Sequence, residues 1–162
     1  MCKKTFIAST MFAMTLVANA VAAPQVDFSI EAVIPDNSFY VTPLNGWDAK
    51  TQKMTWNEAN SSLGNLTQQL QMKNANGGIK AYLSGQPSLS SSSSTDVIEL
   101  DVVIAGQTLP TNSSTAVTLY DASAAANEKT ATMTVSQKNA GTRPTAGNYL
   151  GAVTMMFDTV TP

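Results

Sequence analysis

Histidine is absent from this chain, and cysteine is reduced to a single residue, Cys2. The first absence removes the commonest general base and the commonest neutral metal ligand. Together the two exclude a Ser-His-Asp or Cys-His catalytic constellation and a Cys/His zinc site. Charge is scarce as well: 12% of residues are Asp, Glu, Lys or Arg, about half the usual ~25%. Nine Lys and Arg and a net charge of −2 leave no positive footprint for a phosphate backbone, so no nucleic-acid partner is expected. The shortage of charge is not disorder, because 43% of the chain is apolar and disordered chains are apolar-poor and strongly charged. Ser, Thr, Asn and Gln fill the gap with a surface that is polar but barely ionic. At 162 residues the chain suits one domain.

Acidic residues are densest at Asp96, Glu99 and Asp101. A carboxylate-dependent hydrolase would need such a pair converging on one site. Here Glu99 and Asp101 alternate with Ile98 and Leu100, which places them on the solvated face of a strand. No enzyme and no cofactor are expected.

The beginning of the chain reads as an address. Lys3 and Lys4 precede an apolar run from Phe6 to Val17, and Ala18-Asn19-Ala20 and Ala20-Val21-Ala22 each offer small residues at the −3 and −1 positions. That is the layout of a secretory signal peptide, and the run is shorter than the roughly 20 residues of a membrane-spanning helix. Residues 1–22 are assigned to it, with cleavage after Ala20 or Ala22. Removal leaves 140 residues, no cysteine and a net charge of −4. Export permits disulfides, yet this fold must rest on packing and hydrogen bonds.

The patterns that follow are those of strands. Val26, Phe28, Ile30 and Ala32 alternate with polar residues, as do Leu66, Gln68, Leu70 and Met72, then Ile98, Leu100, Val102 and Ile104, then Ala131, Met133 and Val135. Tyr149–Phe157 is apolar on both faces, as a central strand would be. Shorter candidates are Ser38–Thr42, Gln52–Trp56 and Ile79–Leu83. Turn chemistry separates them at Pro35-Asp36-Asn37, Asn45-Gly46, Asn76-Gly77-Gly78 and Gly141–Gly147. About seven or eight short strands predict an all-β sandwich. Ala122–Lys129 alone has helical propensity. Ser88–Thr95 reads as a serine-rich surface loop. The Asn-x-Ser/Thr triplets at Asn60, Asn65 and Asn112 are what chance supplies in so Asn- and Ser-rich a chain.

The segment directly behind the cleavage site is unusual. Mature N-termini are commonly loose polar chain, whereas Val26, Phe28, Ile30, Ala32 and Ile34 form one apolar face that ends at Pro35-Asp36. Two readings compete. The segment is either the first strand of its own sandwich, or an extension that completes a neighbouring subunit's sheet by β-augmentation.

The C-terminal block Ala140-Gly141-Thr142-Arg143-Pro144-Thr145-Ala146-Gly147-Asn148-Tyr149-Leu150-Gly151-Ala152-Val153 favours the second. It resembles the A-G-T-x-P-T-A-G-N-Y-x-G-x-V signature of major pilin subunits of class 5, colonisation-factor-antigen-I type fimbriae of the alternate chaperone–usher pathway. The stretch Asp27–Ile34 is similar in kind to that family's N-terminal strand, although Phe28 and Glu31 depart from its small β-branched residues. The resemblance implies an incomplete immunoglobulin-like β-sandwich completed by a donor strand from a neighbouring subunit. Residues 23–36 would be the donor extension and 37–162 the pilin domain. It also implies a periplasmic chaperone, an outer-membrane usher, a separate tip adhesin, and export through the periplasm to a surface fimbria serving adhesion and colonisation. Gly151 is expected where another backbone approaches closely. The alternative is a minor or tip-associated adhesin binding a host glycan, with Trp47 and Trp56 as a sugar platform. Two Trp near strands are more often core or interface residues.

Overall fold

A computed structural model describes residues 38–161; the expected signal peptide and the Val26–Ile34 segment lie outside them. Period-two alternation of apolar and polar side chains governs the longest strands. In chain order the strands are β1 (Phe39–Pro43), β2 (Trp56–Asn57), β3 (Ser62–Leu63), β4 (Leu66–Asn74), β5 (Gly78–Leu83) and β6 (Ser88–Ser91). Then come β7 (Val97–Ile104), β8 (Gln107–Thr108), β9 (Val117–Tyr120), β10 (Lys129–Gln137), β11 (Tyr149–Ala152) and β12 (Met155–Val160). A single-turn α-helix, α1 (Ala122–Ala125), is capped by Asp121, whose carboxylate accepts the Ala124 N–H at 2.8 Å, and 3-10 turns occupy Leu44–Ala49 and Ser113–Thr115.

All pairings are antiparallel. The larger sheet has seven strands, in the order β1-β4-β10-β7-β6-β11 with β8 attached to β7, and the smaller has three, β12-β5-β9. β2 and β3 form a separate hairpin. Leu70 and Met72 of β4, Met133 and Val135 of β10, and Val102 and Ile104 of β7 are buried in one cluster with Ile79, Ala81 and Leu83 of β5. The opposite face of the large sheet pairs Thr130 with Gln71, Thr132 with Gln69 and Thr134 with Thr67, a run of hydroxyls and amides flanked by Lys73, Glu99 and Asp101.

Several expectations are corrected. Tyr149–Phe157 is not one central strand: its two halves are β11, paired with β6 of the large sheet, and β12, paired with β5 of the small one. Apolarity on both faces reflects a chain that changes sheets at Val153-Thr154. The serine tract is half strand, because β6 borrows its partners from β7 and β11 through backbone hydrogen bonds that need no apolar side chain. Gln52–Trp56 joins a ladder only at Trp56. The local pattern gave no sign of β9, which pairs with β5 across a register shift at Ile79/Lys80.

Three local devices hold this frame. Asn74, a buried polar residue, donates from Nδ2 to the Gly78 carbonyl and to Thr159 Oγ1, both at 2.8 Å, and its Oδ1 accepts the Asn76 N–H at 3.1 Å. It thereby joins the last residue of a large-sheet strand to two strands of the small sheet. A β-carbon at Gly151 would lie 2.0 Å from the Ser88 carbonyl oxygen, so β11 reaches β6 only because this residue has no side chain. The neighbour expected to approach Gly151 is thus β6 of the same chain. Finally, Asp96 accepts the Thr145 N–H at 2.7 Å and the Tyr149 hydroxyl at 3.3 Å, while that hydroxyl donates to the Thr145 carbonyl at 2.8 Å. These bonds pin the loop before β11 to the turn after β6, and hydrogen bonding from Thr145 holds the Asp96 carboxyl below its ordinary value.

Two outcomes are expected. Gly151→Ala should cost about 1–3 kcal/mol by forcing β11 from β6, read as a lower thermal midpoint with hydrogen-exchange protection lost first at Ser88–Ser91. Because Asp96 binds its proton less readily in the folded state, its contribution is complete above the ordinary value of 3.8 and is lost as pH falls through the depressed one. Exchange at residues 143–149 should therefore rise in acid, and D96N should remove that pH dependence.

Candidate functional site

The three-stranded sheet is too narrow to cover the inner face of the seven-stranded one. Beside it lies an open groove of about 1150 Å³, above the ~300–1,000 Å³ typical of small-molecule pockets, whose floor is buried at Leu70, Leu100, Met133 and Val135 and half-buried at Leu66 and Leu89. Its floor is the alternate set of large-sheet side chains: Leu66 and Leu70 of β4, Met133 and Val135 of β10, Leu100 of β7 and Leu89 of β6. Neighbouring registers, Val135 opposite Leu66 and opposite Val102, keep this set on one face.

One wall is the chain from Trp47 to Trp56. The Trp47 indole N–H donates to the Gln69 carbonyl at 2.8 Å, Gln52 Nε2 donates to the Trp47 carbonyl at 2.7 Å, and Gln68 Nε2 donates to Gln52 Oε1 at 2.8 Å. These bonds lay residues 50–55 along the floor, outside any strand ladder. Gln52, Met54 and Trp56 are half-buried and alternate with exposed Thr51, Lys53 and Thr55. Trp56 Nε1 is buried and has no acceptor among the described residues. The exposed charges on the groove lining are Asp48, Lys50, Lys53 and Arg143.

The other wall is β12. The Ser84 N–H donates to the Thr154 carbonyl at 3.1 Å, and Met155 is opposite Leu83. In an antiparallel ladder bonded and non-bonded pairs alternate, so the backbone groups of Met155, Phe157 and Thr159 point away from β5. Among the described residues β12 pairs on that one side only. Side chains of Met155 and Phe157 turn into the groove. Apolar floor and unpaired strand edge therefore occur together.

The C-terminal motif closes one end of this groove. Arg143 and Pro144 through Tyr149 line it, as do Gly151 and Val153. Ala140 and Thr142 are exposed, and Gly141, at φ 102°, donates its N–H to the Ser61 carbonyl at 3.2 Å. Arg143 pairs with Glu58 at 2.9 Å. The motif is thus a brace running from the β2–β3 hairpin to β6. Of the acidic trio, Asp96 holds that brace, Glu99 pairs with Lys138 at 3.4 Å on the surface, and Asp101 is half-buried opposite Ser136. Trp47 and Trp56 contribute a hydrogen-bonded corner and a groove wall rather than an exposed platform. No three His, Cys, Asp or Glu side chains among the described residues gather as metal ligands would. The donor-strand residues Val26, Phe28, Ile30, Ala32 and Ile34 lie outside the described residues. Sequence reasoning missed the 47–56 wall as part of a site; the alternation of Gln52, Met54 and Trp56 was its only signal.

Comparison with known proteins bears on this geometry. A search of curated proteins returned no match. Among solved structures, the chain is similar to the one titled "Structure of the CooA pilin subunit from enterotoxigenic Escherichia coli", with 19% identity over 75% of this chain and 88% of that one and a TM-score of 0.55, a likeness of fold. A family model described as the CS1 type fimbrial major subunit matches residues 24–158. That match takes in both groove walls, the floor and the C-terminal brace, and the chain belongs to the CS1 type fimbrial major subunit family.

Proposed function

We propose that the chain, a structural subunit of a fimbria, polymerises by donor-strand complementation, with residues 23–36 of one subunit filling the groove of the next. The observation that carries this reading is the coincidence of an apolar floor with the unpaired edge of β12. A strand laid there would bond to the backbone groups of Met155, Phe157 and Thr159 and would pack on the half-buried Leu66, Leu89, Met155 and Phe157. Its carbonyls would also bring acceptors near the unpaired Trp56 indole. The segment beginning after Ala22 has the matching form, with Val26, Phe28, Ile30, Ala32 and Ile34 on one face.

The energies are of the right size. Burying a Val, Phe or Ile is worth about 1.5–3 kcal/mol, so four such anchors supply roughly 6–12 kcal/mol, comparable to the ~5–15 kcal/mol stability of a whole domain. Each subunit offers a strand at one place and accepts one at another. Such a heterologous contact does not close on itself and grows a fibre. In this reading residues 1–22 direct export and are removed. A periplasmic chaperone covers the groove until an outer-membrane usher exchanges it for the next subunit, and a separate tip subunit supplies receptor contact. The surface fimbria then supports adhesion and colonisation.

Deleting residues 23–34 should leave a subunit whose circular dichroism still reports β structure but which forms no filaments by negative-stain microscopy; filaments of normal length would overturn the donor role. Phe28→Asp or Ile30→Asp, placing a charge against the apolar floor, should lower the temperature at which polymers in SDS fall to monomers by tens of degrees. An unchanged dissociation temperature would count equally against it.

A further inference from the structure

We infer that subunit joining is steered and selected by charge: Asp27 and Glu31 of the incoming segment lie against Lys50 and Lys53 on the groove wall. The occupant is residues 23–36 of a second copy of this chain, so the inference rests on the donor-strand reading and adds its electrostatic partner code.

Beyond Ala22 the chain has seven Lys and Arg in a net charge of −4. Three of the seven, Lys50, Lys53 and Arg143, line the groove, opposed there by Asp48 alone. Arg143 is engaged with Glu58 at 2.9 Å. Lys50 and Lys53 are exposed and form no ion pair among the described residues. The groove wall is thus positive on a protein that is otherwise negative.

The leading segment is its complement. Residues 24–36 contain Asp27, Glu31 and Asp36 and no basic residue. Asp27 and Glu31 belong to the alternate set opposite Val26, Phe28, Ile30 and Ala32, so a strand that turns its apolar face to the floor turns both carboxylates to the rim. They are four residues apart, about 13 Å along an extended strand, and Lys50 and Lys53 lie three residues apart on the wall that would flank it. At the rim, water screens a pair and limits its contribution to affinity. Long-range attraction between opposite patches nevertheless raises the rate of productive encounter by 10–10³-fold and disfavours wrong partners.

The test uses two full-length variants and their mixture. K50E/K53E carries an acidic donor and an acidic groove; D27K/E31K carries a basic donor and a basic groove. Each alone should polymerise about tenfold or more slowly than the parent chain by light scattering at low salt. Mixed in equal amounts, every alternating joint pairs opposite charges, and the rate should recover, with that recovery vanishing at high salt. K73E/K80E has the same overall charge change as K50E/K53E but lies off the groove, and it should assemble like the parent. A mixture no faster than its components, or a K73E/K80E variant as slow as K50E/K53E, would overturn the charge code. In either case the deletion of residues 23–34 reports separately on strand donation. Loss of assembly there with normal K50E/K53E kinetics leaves donation standing without the code, and normal assembly of the deletion removes both.

Discussion

Seven strands facing three is the constraint from which the other features follow. A β-sandwich hides the inner face of each sheet beneath the other, and here the smaller sheet ends at β12 before the larger one's apolar face does. Half-buried Leu66 and Leu89 remain at the base of an open groove, and among the described residues β12 is left with one unpaired edge. Either feature alone is a liability, because exposed apolar surface and a free strand edge both invite association. Side by side they specify what fits: an extended chain with alternating apolar side chains and a backbone free to bond.

The frame around the groove is held by contacts that do not depend on its being filled. Asn74 fastens β4 to the strands of the small sheet, and Asp96 fastens the loop carrying Thr145 to the turn that follows β6. Gln52 and Gln68 fix the opposite wall. A groove with walls held in this way loses less conformational freedom when a strand enters, which leaves more of the burial energy for the joint itself. The short β11 belongs to the same design. It adds to the edge of the large sheet only because Gly151 lets the Ser88 carbonyl approach, and the chain then crosses to the small sheet as β12.

Much of this was legible in the sequence, and the limits follow from what periodicity encodes. Leu66–Met72, Ile98–Ile104 and Ala131–Val135 were readable as strands because each has one buried and one solvated face. The C-terminal block was readable as a family resemblance, and Gly151 as a point of close approach. The division of Tyr149–Phe157 between two sheets was not readable, because apolarity on both sides looks the same in a central strand and in a chain changing layers. β6 was hidden for the opposite reason: its ladder uses backbone groups, on which a run of serines is silent. The wall from Trp47 to Trp56 depends on Gln52 meeting Gln68 and Trp47 meeting the Gln69 carbonyl, pairings between distant positions that no local pattern contains.

The distribution of charge gains meaning from the same asymmetry. The outer face of the large sheet sets Thr130, Thr132 and Thr134 against Gln71, Gln69 and Thr67, with Lys73, Glu99 and Asp101 on the same face. A subunit with so few charged residues has few means of orienting a partner during approach. If residues 23–36 of a neighbouring copy fill the groove as proposed, Asp27 and Glu31 would meet Lys50 and Lys53 on its wall, so that four of the eighteen charged residues beyond Ala22 would serve that one contact. Apolar burial would then supply most of the strength of such a joint, while the sparse ions would decide how quickly and with which copy it forms.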